Sequence, residues 1–232
     1  MNVLIAGASR GIGAALADHY EAAGHSVVGV ARADPDAWDV GPGVTRVQCD
    51  LADERLVRKT FSALRKDGFV PWLVVHVAGL FSADLLLMAS EQRVREVMDA
   101  NFITAHNVFR ESFRAMARAG GRVVGLSSIA AGIPAQGNGI YAASKAALES
   151  LARSYALEAR GTACTFNTVR VSFVRNSGMV DVLDDGARAR YAERLIVPGD
   201  QDISVLVDVI NLLASPSGAW ISGEVIRLGG PV

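Results

Sequence analysis

Residues 3–13 read VLIAGASRGIG, and this stretch sets the fold class of the chain. The four apolar residues at 3–6 show no polar alternation, which is typical of a parallel strand covered on both faces. Three glycines follow with the spacing GxxxGxG, and a helical pattern begins at Ile12. A strand, a glycine-rich turn and a helix in this order predict the first unit of a doubly wound α/β sheet.

The glycine-rich turn has the composition of a phosphate-binding loop. Gly7, Gly11 and Gly13 permit positive φ angles and let the backbone approach a pyrophosphate, which then lies at the helix N-terminus. A position directly after the first strand makes the pattern much more specific than the glycine spacing alone. The alternative is a tight strand–helix turn that binds nothing. The turn therefore favours a dinucleotide site.

The rest of the chain repeats the alternation of short apolar runs and longer amphipathic segments. The predicted strands are residues 3–6, 26–30, 44–48, 73–77, 122–126, 165–171 and 224–228. The predicted helices are residues 12–23, 54–66, 92–117, 141–159 and 203–214. No linker, repeat or low-complexity tract interrupts this pattern. We therefore expect a single domain, residues 1–232, built on a Rossmann-type parallel sheet of about seven strands with helices on both faces.

Composition excludes several classes of function. The chain has 23 Lys and Arg against 24 Asp and Glu, so it has no overall positive field to attract nucleic acid or an anionic membrane. The first apolar run is too short for a signal peptide, and no run approaches the ~20 residues of a membrane span. Cys49 and Cys164 are far apart in sequence, which predicts neither a disulfide framework nor a metal site. We expect a soluble, cytoplasmic protein.

The second predicted strand indicates which dinucleotide is bound. Sites for NAD place an acidic residue at the end of this strand, where it binds the ribose 2′-hydroxyl. Here the strand runs into Arg32, and no acidic residue precedes Asp34. Arg10 in the glycine turn supplies a second cation, and guanidinium groups bind phosphate bidentately. We therefore predict NADP(H); the alternative is that Arg32 is an ordinary solvated loop residue.

Tyr141 and Lys145 lie four residues apart at the start of a predicted helix, so they share one face. An ammonium group beside a phenol stabilises the phenolate and lowers its pKa from about 10, which suits tyrosine for acid–base chemistry nearer neutral pH. Ser127 and Ser128 close the fifth strand, where doubly wound folds place ligands, and a serine hydroxyl there can donate to a carbonyl. The alternative is an unremarkable surface pair.

Together these motifs resemble the short-chain dehydrogenase/reductase family over nearly the whole chain. Ser128 lies thirteen residues before Tyr141, the spacing usual in the family, and is therefore preferred over Ser127. The resemblance implies four catalytic residues, which are Asn101, Ser128, Tyr141 and Lys145. The charge argument and the resemblance together predict these cofactor-binding residues: Gly7, Ser9, Arg10, Ile12, Arg32, Asp50, Leu51, Ala78, Gly79, Tyr141, Lys145, Val174 and Asn176.

The resemblance also implies a mechanism, in which hydride passes between the nicotinamide and a carbonyl carbon. Ser128 and Tyr141 would hold the carbonyl oxygen, and Tyr141 would supply the proton. Lys145 would bind the nicotinamide ribose and lower the tyrosine pKa, while Asn101 would hold a water that links Lys145 to solvent. The family is usually tetrameric or dimeric through the helices that carry Asn101 and Tyr141, so we expect a homo-oligomer, most often a homotetramer.

The sequence departs from the family pattern at the fourth predicted strand and after the sixth. His76-Val77 replaces the paired asparagines before Ala78-Gly79, and we interpret His76 as a structural residue at a strand end. After the sixth strand, Val171-Ser172 occupies the place of Pro-Gly, which changes the backbone freedom there. Asn176 occupies the place of a threonine that binds the nicotinamide carboxamide, and its side chain can form that hydrogen bond.

Substrate choice is expected to come from residues 130–140 and 177–198, and the second segment would form a lid. Arg188, Arg190 and Arg194 would meet the phosphate of a carrier thioester or form a solvated helix face. We predict NADPH-dependent reduction of a small-molecule carbonyl, a ketone or a 3-oxoacyl thioester that is free or carrier-bound. The alternatives are NAD(P)+-dependent oxidation of a secondary alcohol or dihydrodiol, and a catalytically silent dinucleotide-binding protein.

Overall fold

The computed structural model describes residues 1–133, 135–175, 186, 189 and 192–230. The strands are β1 Asn2–Ala6, β2 Ser26–Ala31, β3 Thr45–Gln48, β4 Leu73–His76, β5 Gly121–Ser128, β6 Cys164–Val171 and β7 Val225–Arg227. The longer helices are α1 Gly11–Ala22, α2 Glu54–Lys66, α3 Glu91–Met98, α4 Thr104–Met116, α5 Gly139–Glu158 and α6 Ile203–Ala214. The seven strands form one parallel sheet in the order β3-β2-β1-β4-β5-β6-β7, which confirms the predicted α/β fold.

The five inner strands β1, β2, β4, β5 and β6 are buried on both faces, which explains why their sequences show little alternation of apolar and polar residues, whereas the edge strands β3 and β7 are only partly buried. In β1, Val3 and Ile5 join an apolar cluster that packs α1 and α6 on one face of the sheet. Leu4 and Ala6 join a second cluster that packs α2, α4 and α5 on the other face. Successive side chains of a strand point to opposite faces, so one apolar run supplies both clusters.

The order of the strands places a ligand-binding crevice beside β1. The chain builds outward from β1 through β2 to β3, and then returns to place β4 on the other side of β1. Ala6 is in register with Val30 on one side and with His76 on the other. The loops after β1 and β4 therefore lie side by side at the carboxyl edge, where doubly wound folds bind their ligands.

The helical stretch predicted over residues 92–117 contains a π-helical turn that the sequence did not indicate. The helix passes from α3 into a π-helical turn, Asp99–Ile103, and then into α4. A π turn alters hydrogen bonding over a few residues while the chain stays helical, so hydrophobic periodicity does not reveal it. Such turns are frequent at functional sites, and this one carries Asn101.

The bounds of the other predicted strands and helices agree with the structure to within two residues. The largest extension of a strand is at β5, which continues through the polar residues Ser127 and Ser128 because β6 pairs with it as far as Val171. Val44 lies outside β3, and β7 is shorter than predicted. Within the described part of the chain, no helix has both the length and the hydropathy needed to cross a membrane.

Candidate active site

The glycine turn after β1 leaves bare backbone at the start of α1. Gly7 has a φ angle of +99°, and a Cβ atom there would lie 2.5 Å from the backbone nitrogen of Ala78. A Cβ atom on Gly13 would collide with the carbonyl oxygen of Gly7. Side chains are thus excluded by the packing of the turn itself, and the cradle fits a pyrophosphate held by backbone N–H groups at the helix N-terminus.

The two arginines predicted to bind a 2′-phosphate flank this cradle in sequence. Arg10 directly precedes α1, and Arg32 directly follows β2. Both are exposed. Within the described residues neither forms a salt bridge, so both guanidinium groups are available to a ligand.

Other predicted cofactor residues follow the carboxyl ends of β3 and β4. Asp50 and Leu51 come after β3, and Ala78 and Gly79 come after β4. The Asp50 carboxylate accepts a hydrogen bond from the Ala52 backbone N–H at 3.0 Å. The Ala78 backbone N–H donates to the Ala6 carbonyl oxygen at 2.9 Å, which attaches the loop after β4 to the start of the glycine turn.

Ser9 and Ile12 anchor the two ends of the glycine turn. The Ser9 carbonyl oxygen accepts a hydrogen bond from the backbone N–H of Asp39 at 3.0 Å. Ile12 is partly buried and packs against the apolar cluster shared with α1. Both contacts hold the backbone of the turn in place.

Asn101 projects from the π turn into a fully buried position. Its side-chain oxygen accepts from the Leu80 backbone N–H at 2.8 Å, and its amide nitrogen donates to the Leu80 carbonyl oxygen at 2.9 Å. The same nitrogen donates to Ser144 Oγ at 2.9 Å. Both amide hydrogens are therefore committed to protein groups, and Asn101 holds the loop after β4 against α5.

Lys145 is buried beside Asn101. Its Nζ donates to the Leu126 carbonyl oxygen at 2.9 Å. Burial lowers the pKa of Lys145 to about 8, and the nearby charge of Glu149 opposes that shift. A Cβ atom on Gly79 would lie 2.5 Å from Asn101 Oδ1 and 3.3 Å from Lys145 Nζ. A glycine at 79 is what lets the backbone approach both groups.

Tyr141 lies on the same face of α5 as Lys145 and is also buried. The Lys145 Nζ atom is 5.8 Å from the centre of the Tyr141 ring. The ring of Phe81 packs against the Tyr141 ring edge-to-face, with centroids 5.1 Å apart. Burial of both residues excludes the alternative of an exposed surface pair.

The two serines at the end of β5 have different partners. Ser127 is buried and donates its hydroxyl hydrogen to Glu149 Oε1 at 2.6 Å. Ser128 is partly exposed, and its oxygen accepts from the Ala130 backbone N–H at 3.2 Å. Its hydroxyl hydrogen remains available for a substrate oxygen. This geometry favours Ser128 over Ser127 as the substrate-binding serine.

Comparison with known proteins agrees with this arrangement. A family model described as enoyl-(acyl carrier protein) reductase matches residues 7–230. The chain belongs to the short-chain dehydrogenase/reductase family. It is therefore an oxidoreductase that uses a nicotinamide dinucleotide.

The curated relatives of this dehydrogenase/reductase match it along almost its whole length. The 3-oxoacyl-[acyl-carrier-protein] reductase MabA of Mycobacterium tuberculosis is 31% identical, covering 99% of this chain and 91% of that protein. The 3-oxoacyl-[acyl-carrier-protein] reductase FabG of Escherichia coli is 25% identical, covering 98% and 95%.

Solved structures share the fold of this dehydrogenase/reductase. A short-chain type dehydrogenase/reductase from Mycobacterium ulcerans superimposes with a TM-score of 0.89 at 24% identity, covering 100% of this chain and 91% of the other. A 4-hydroxyisoleucine dehydrogenase complexed with NADH gives 0.85 at 20% identity, covering 99% and 97%.

His76 of this dehydrogenase/reductase is fully buried at the end of β4. The Thr104 hydroxyl donates to the Ala100 carbonyl oxygen at 2.8 Å, so Thr104 Oγ1 accepts from His76 Nε2 at 3.0 Å. Nε2 is therefore the protonated ring nitrogen, while Nδ1 has no partner. Burial, followed by the charge of Lys145, lowers the pKa of His76 to about 3. His76 is neutral and helps to hold the π turn, in agreement with its predicted structural role.

The segment after β6 departs from the family pattern and is bonded to Gln201, two residues before α6 begins. Ser172 Oγ accepts from Gln201 Nε2 at 2.7 Å. Val174 is buried in the apolar cluster and forms an isolated bridge with Gln201, so its side chain is committed to the core. Asn176, and with it the predicted carboxamide contact, lies outside the described residues, as do Arg188 and Arg190. Arg194 is exposed.

Sequence reasoning missed Ser144 as a site residue. Its hydroxyl donates to the Tyr141 carbonyl oxygen at 2.7 Å and accepts from Asn101. The available signal was its position directly before Lys145 on the helix that carries Tyr141.

Proposed function

We propose that this short-chain dehydrogenase/reductase reduces a carbonyl group, in a ketone or a 3-oxoacyl thioester, to a secondary alcohol with NADPH. The observation that carries the proposal is the buried Tyr141–Lys145 pair, placed with Ser128 at the carboxyl edge of the sheet beside the glycine cradle. The printed names of the curated relatives, 3-oxoacyl-[acyl-carrier-protein] reductases, support the thioester class.

The residues that would hold NADPH surround the glycine cradle. The turn at Gly7 would bind the pyrophosphate through backbone N–H groups. Arg10 and Arg32 would bind the 2′-phosphate, because exposed guanidinium groups without a protein carboxylate suit a dianion. Asp50 would face the adenine side, and Lys145 the nicotinamide ribose. NADPH supplies the hydride for the carbonyl carbon when it is bound.

In this reaction the side chains of the protein deliver the proton. Ser128 and Tyr141 hydroxyls bind the carbonyl oxygen, and Tyr141 passes its proton to that oxygen as it gains negative charge. The Lys145 ammonium stabilises the negative charge that Tyr141 then bears. Because the pKa of Lys145 is about 8, the ammonium form prevails at neutral pH yet can lose a proton when the tyrosine is recharged.

The test combines cofactor titration with rates in both directions. NADPH and NADH dissociation constants are measured by nucleotide fluorescence. Initial rates are then measured with simple ketones, with 3-oxoacyl thioesters of coenzyme A, and with secondary alcohols plus NAD(P)+. We expect tighter binding of NADPH and reduction of the 3-oxoacyl thioester. Oxidation of alcohols alone would replace the proposal with the oxidative alternative, and absence of turnover with every substrate would refute it.

The role of Tyr141 is tested by Tyr141→Phe, with Tyr155→Phe on the same helix as the matched control. Removing the general acid is expected to lower kcat by about 10²–10⁴-fold. The NADPH dissociation constant is expected to change less than about twofold, because the hydroxyl serves the proton transfer. Tyr155 contacts His106 and lies outside the site, so its variant should keep full activity. Retained turnover in Tyr141→Phe would refute the mechanism.

We also propose that the chain is one domain and forms a homo-oligomer in the cytoplasm. Support for association comes from large apolar side chains left in solvent, among them Trp220, which is 93% exposed, and Leu157, which is 77% exposed. Light scattering coupled to size-exclusion chromatography is expected to give a dimer or tetramer mass. A monomer at micromolar concentration would contradict the oligomer.

A further inference from the structure

A buried cluster of charged and polar groups lies one helical turn beyond Lys145, and we refer to Ser127, Glu149 and Arg170 as the Glu149 cluster. Glu149 Oε1 accepts from Ser127 Oγ at 2.6 Å and from Arg170 Nε at 2.9 Å. Glu149 Oε2 accepts from Arg170 Nη2 at 2.6 Å. The Glu149 and Arg170 side chains are 5% and 12% exposed. The carboxylate is therefore bound bidentately by the guanidinium group and also by a hydroxyl.

The sequence and the strand register build this cluster together. Glu149 follows Lys145 by four residues on α5, so both project from one face of the helix. Ser127 and Arg170 are register partners on the adjacent parallel strands β5 and β6, so their side chains lie on the same face of the sheet. The carboxylate of α5 bridges these two strand residues.

Each member of the Glu149 cluster adjoins a part of the candidate active site. Ser127 directly precedes Ser128, and Arg170 directly precedes the Val171-Ser172 pair that replaces Pro-Gly. A Cβ atom on Gly132 would collide with Arg170 Nη1, so the guanidinium group packs against the loop that follows Ser128. The cluster therefore joins the serine, the loop after it and the helix of Tyr141 and Lys145.

Fold stability alone does not explain why such a cluster is buried in this protein. Replacing a buried ion pair with apolar residues of similar volume is often neutral or stabilising, because taking both charges out of water is costly. The same elements are already held together by apolar contacts that include Ala152, Tyr155 and Phe166. The carboxylate projects from the same face of α5 as Lys145, one turn further on, and this placement points to a functional reason.

We propose that the Glu149 cluster is a positioning device for Lys145, in which the Glu149 carboxylate keeps the buried Lys145 side chain in its charged form. Its effect on turnover rests on the proposed carbonyl reduction, whereas its effect on the charge of Lys145 does not. Arg170 and Ser127 hold the carboxylate in one orientation, because three hydrogen-bond donors surround it. Glu149 and Arg170 are thus positioning residues.

The groups that act on Lys145 come from four elements, and from β6 the guanidinium group of Arg170 adds a positive charge that is paired with Glu149. From α5 these are Tyr141 and Glu149, and from β4 it is His76, which is neutral near pH 7. The π turn and β5 contribute the uncharged Asn101 amide, beside Gly79, and the Leu126 carbonyl oxygen. Of these groups Glu149 raises the pKa of Lys145, and it acts against the larger effect of burial.

An unusual feature of the composition makes a direct test practical. The chain contains three lysines, Lys59, Lys66 and Lys145, whereas its other basic residues are arginines and histidines. Lysine labelled with ¹³C at the ε carbon therefore gives three NMR signals, and Lys145→Met identifies one of them. Lys59 and Lys66 are exposed on α2 and serve as internal references. The titration needs neither substrate nor turnover.

In the unaltered protein the Lys145 signal is expected to titrate near pH 8. In Glu149→Gln, which keeps the shape and removes the charge, the midpoint is expected to fall by about one pH unit or more. Glu158→Gln makes the same change at the exposed end of α5 and should leave the midpoint unchanged. Glu149→Asp, which restores the charge, should recover part of the fall. An unchanged midpoint in folded Glu149→Gln would overturn the proposal.

Glu149→Gln leaves Arg170 buried without a carboxylate, and this cost threatens folding. The double variant Glu149→Gln with Arg170→Gln removes both charges and is expected to fold. Its midpoint should fall by less than that of Glu149→Gln, because losing the positive charge of Arg170 offsets part of the loss of the carboxylate. An unchanged midpoint in the folded double variant would equally overturn the proposal.

Turnover supplies the second readout. The rate of carbonyl reduction should decline at a lower pH in Glu149→Gln than in the unaltered protein, by the same shift as the NMR midpoint, with KM for the carbonyl nearly unchanged. A shifted midpoint in a protein that reduces no carbonyl would refute the proposed function and leave this inference standing. A shifted NMR midpoint together with an unshifted pH profile of turnover would show that the Glu149 cluster does not position Lys145 for catalysis.

Discussion

The amide nitrogen of Asn101 lies 2.9 Å from the hydroxyl oxygen of Ser144, and this hydrogen bond joins the π turn to the helix of Tyr141 and Lys145. Ser144 completes the link by donating to the Tyr141 carbonyl oxygen at 2.7 Å. A residue expected from family resemblance to hold a water thus also fixes the relative position of two helices. The π turn is the element that brings Asn101 to α5.

Ser144→Ala is expected to reduce both stability and turnover. The variant leaves one buried Asn101 amide hydrogen without an acceptor, which costs about 1–3 kcal/mol of the free energy of unfolding. Poorer positioning that raises the activation free energy by about 1.4 kcal/mol would lower kcat tenfold, while NADPH binding should be little changed. Urea unfolding and initial rates provide the measurements, with the exposed Ser150→Ala of the same helix as control. Equal stability and rates in the two variants would contradict this role.

Arg32→Ala is expected to weaken NADPH binding about 10–100-fold, the equivalent of one charge-assisted hydrogen bond to a phosphate. NADH lacks the 2′-phosphate, so its dissociation constant should change less than about twofold. The control is Arg55→Ala, which removes an exposed arginine from α2. Both constants are measured by nucleotide fluorescence. Equal weakening of NADPH and NADH binding would show that Arg32 does not bind the 2′-phosphate.

Lys145→Met is expected to abolish turnover and to stabilise the fold near neutral pH. The pKa of Lys145 is about 8 in the folded chain against an ordinary 10.5, so the cost of burying its charge is fully present below pH 8. That cost, about 3 kcal/mol, disappears as the pH rises from 8 to 10.5.

The measurement for Lys145→Met is the difference in free energy of unfolding between the variant and the unaltered protein at pH 7 and at pH 10. The stabilising effect of the substitution should be largest at pH 7 and should shrink by pH 10. Lys66→Met, an exposed change on α2, should show no such dependence. A difference for Lys145→Met that is independent of pH would show that the lysine is not titrating in the buried state.

Thr104→Val is expected to destabilise the π turn. The substitution keeps the shape and removes the oxygen that accepts from His76 and donates to the Ala100 carbonyl oxygen. Leaving the His76 N–H buried without an acceptor costs about 1–3 kcal/mol. Because Ala100 adjoins Asn101, kcat should fall together with stability. Urea unfolding and initial rates test this, with the exposed Thr45→Val on β3 as control. An unchanged kcat would show that the turn is held by other contacts.

Much of the fold and part of the candidate site follow from local features of the sequence. The apolar runs predict the strands to within two residues, because a parallel strand is buried on both faces and leaves a local signature. The glycine turn is equally local, since Gly7 and Gly13 are required by contacts made within and beside that turn. The four-residue spacing of Tyr141 and Lys145 is sufficient to place them on one helical face.

The contacts that connect distant segments depend on how the elements pack. The hydrogen bond from Asn101 to Ser144 spans 43 residues, and the one from Arg170 to Glu149 spans 21. Strand register and the approach of α5 to the sheet determine both, and no short pattern of residues encodes either. The low pKa of Lys145 also depends on packing, because it arises from burial by neighbouring elements. Amino-acid order alone therefore specifies the fold class and the chemical groups, whereas packing in three dimensions specifies their partners and charge states.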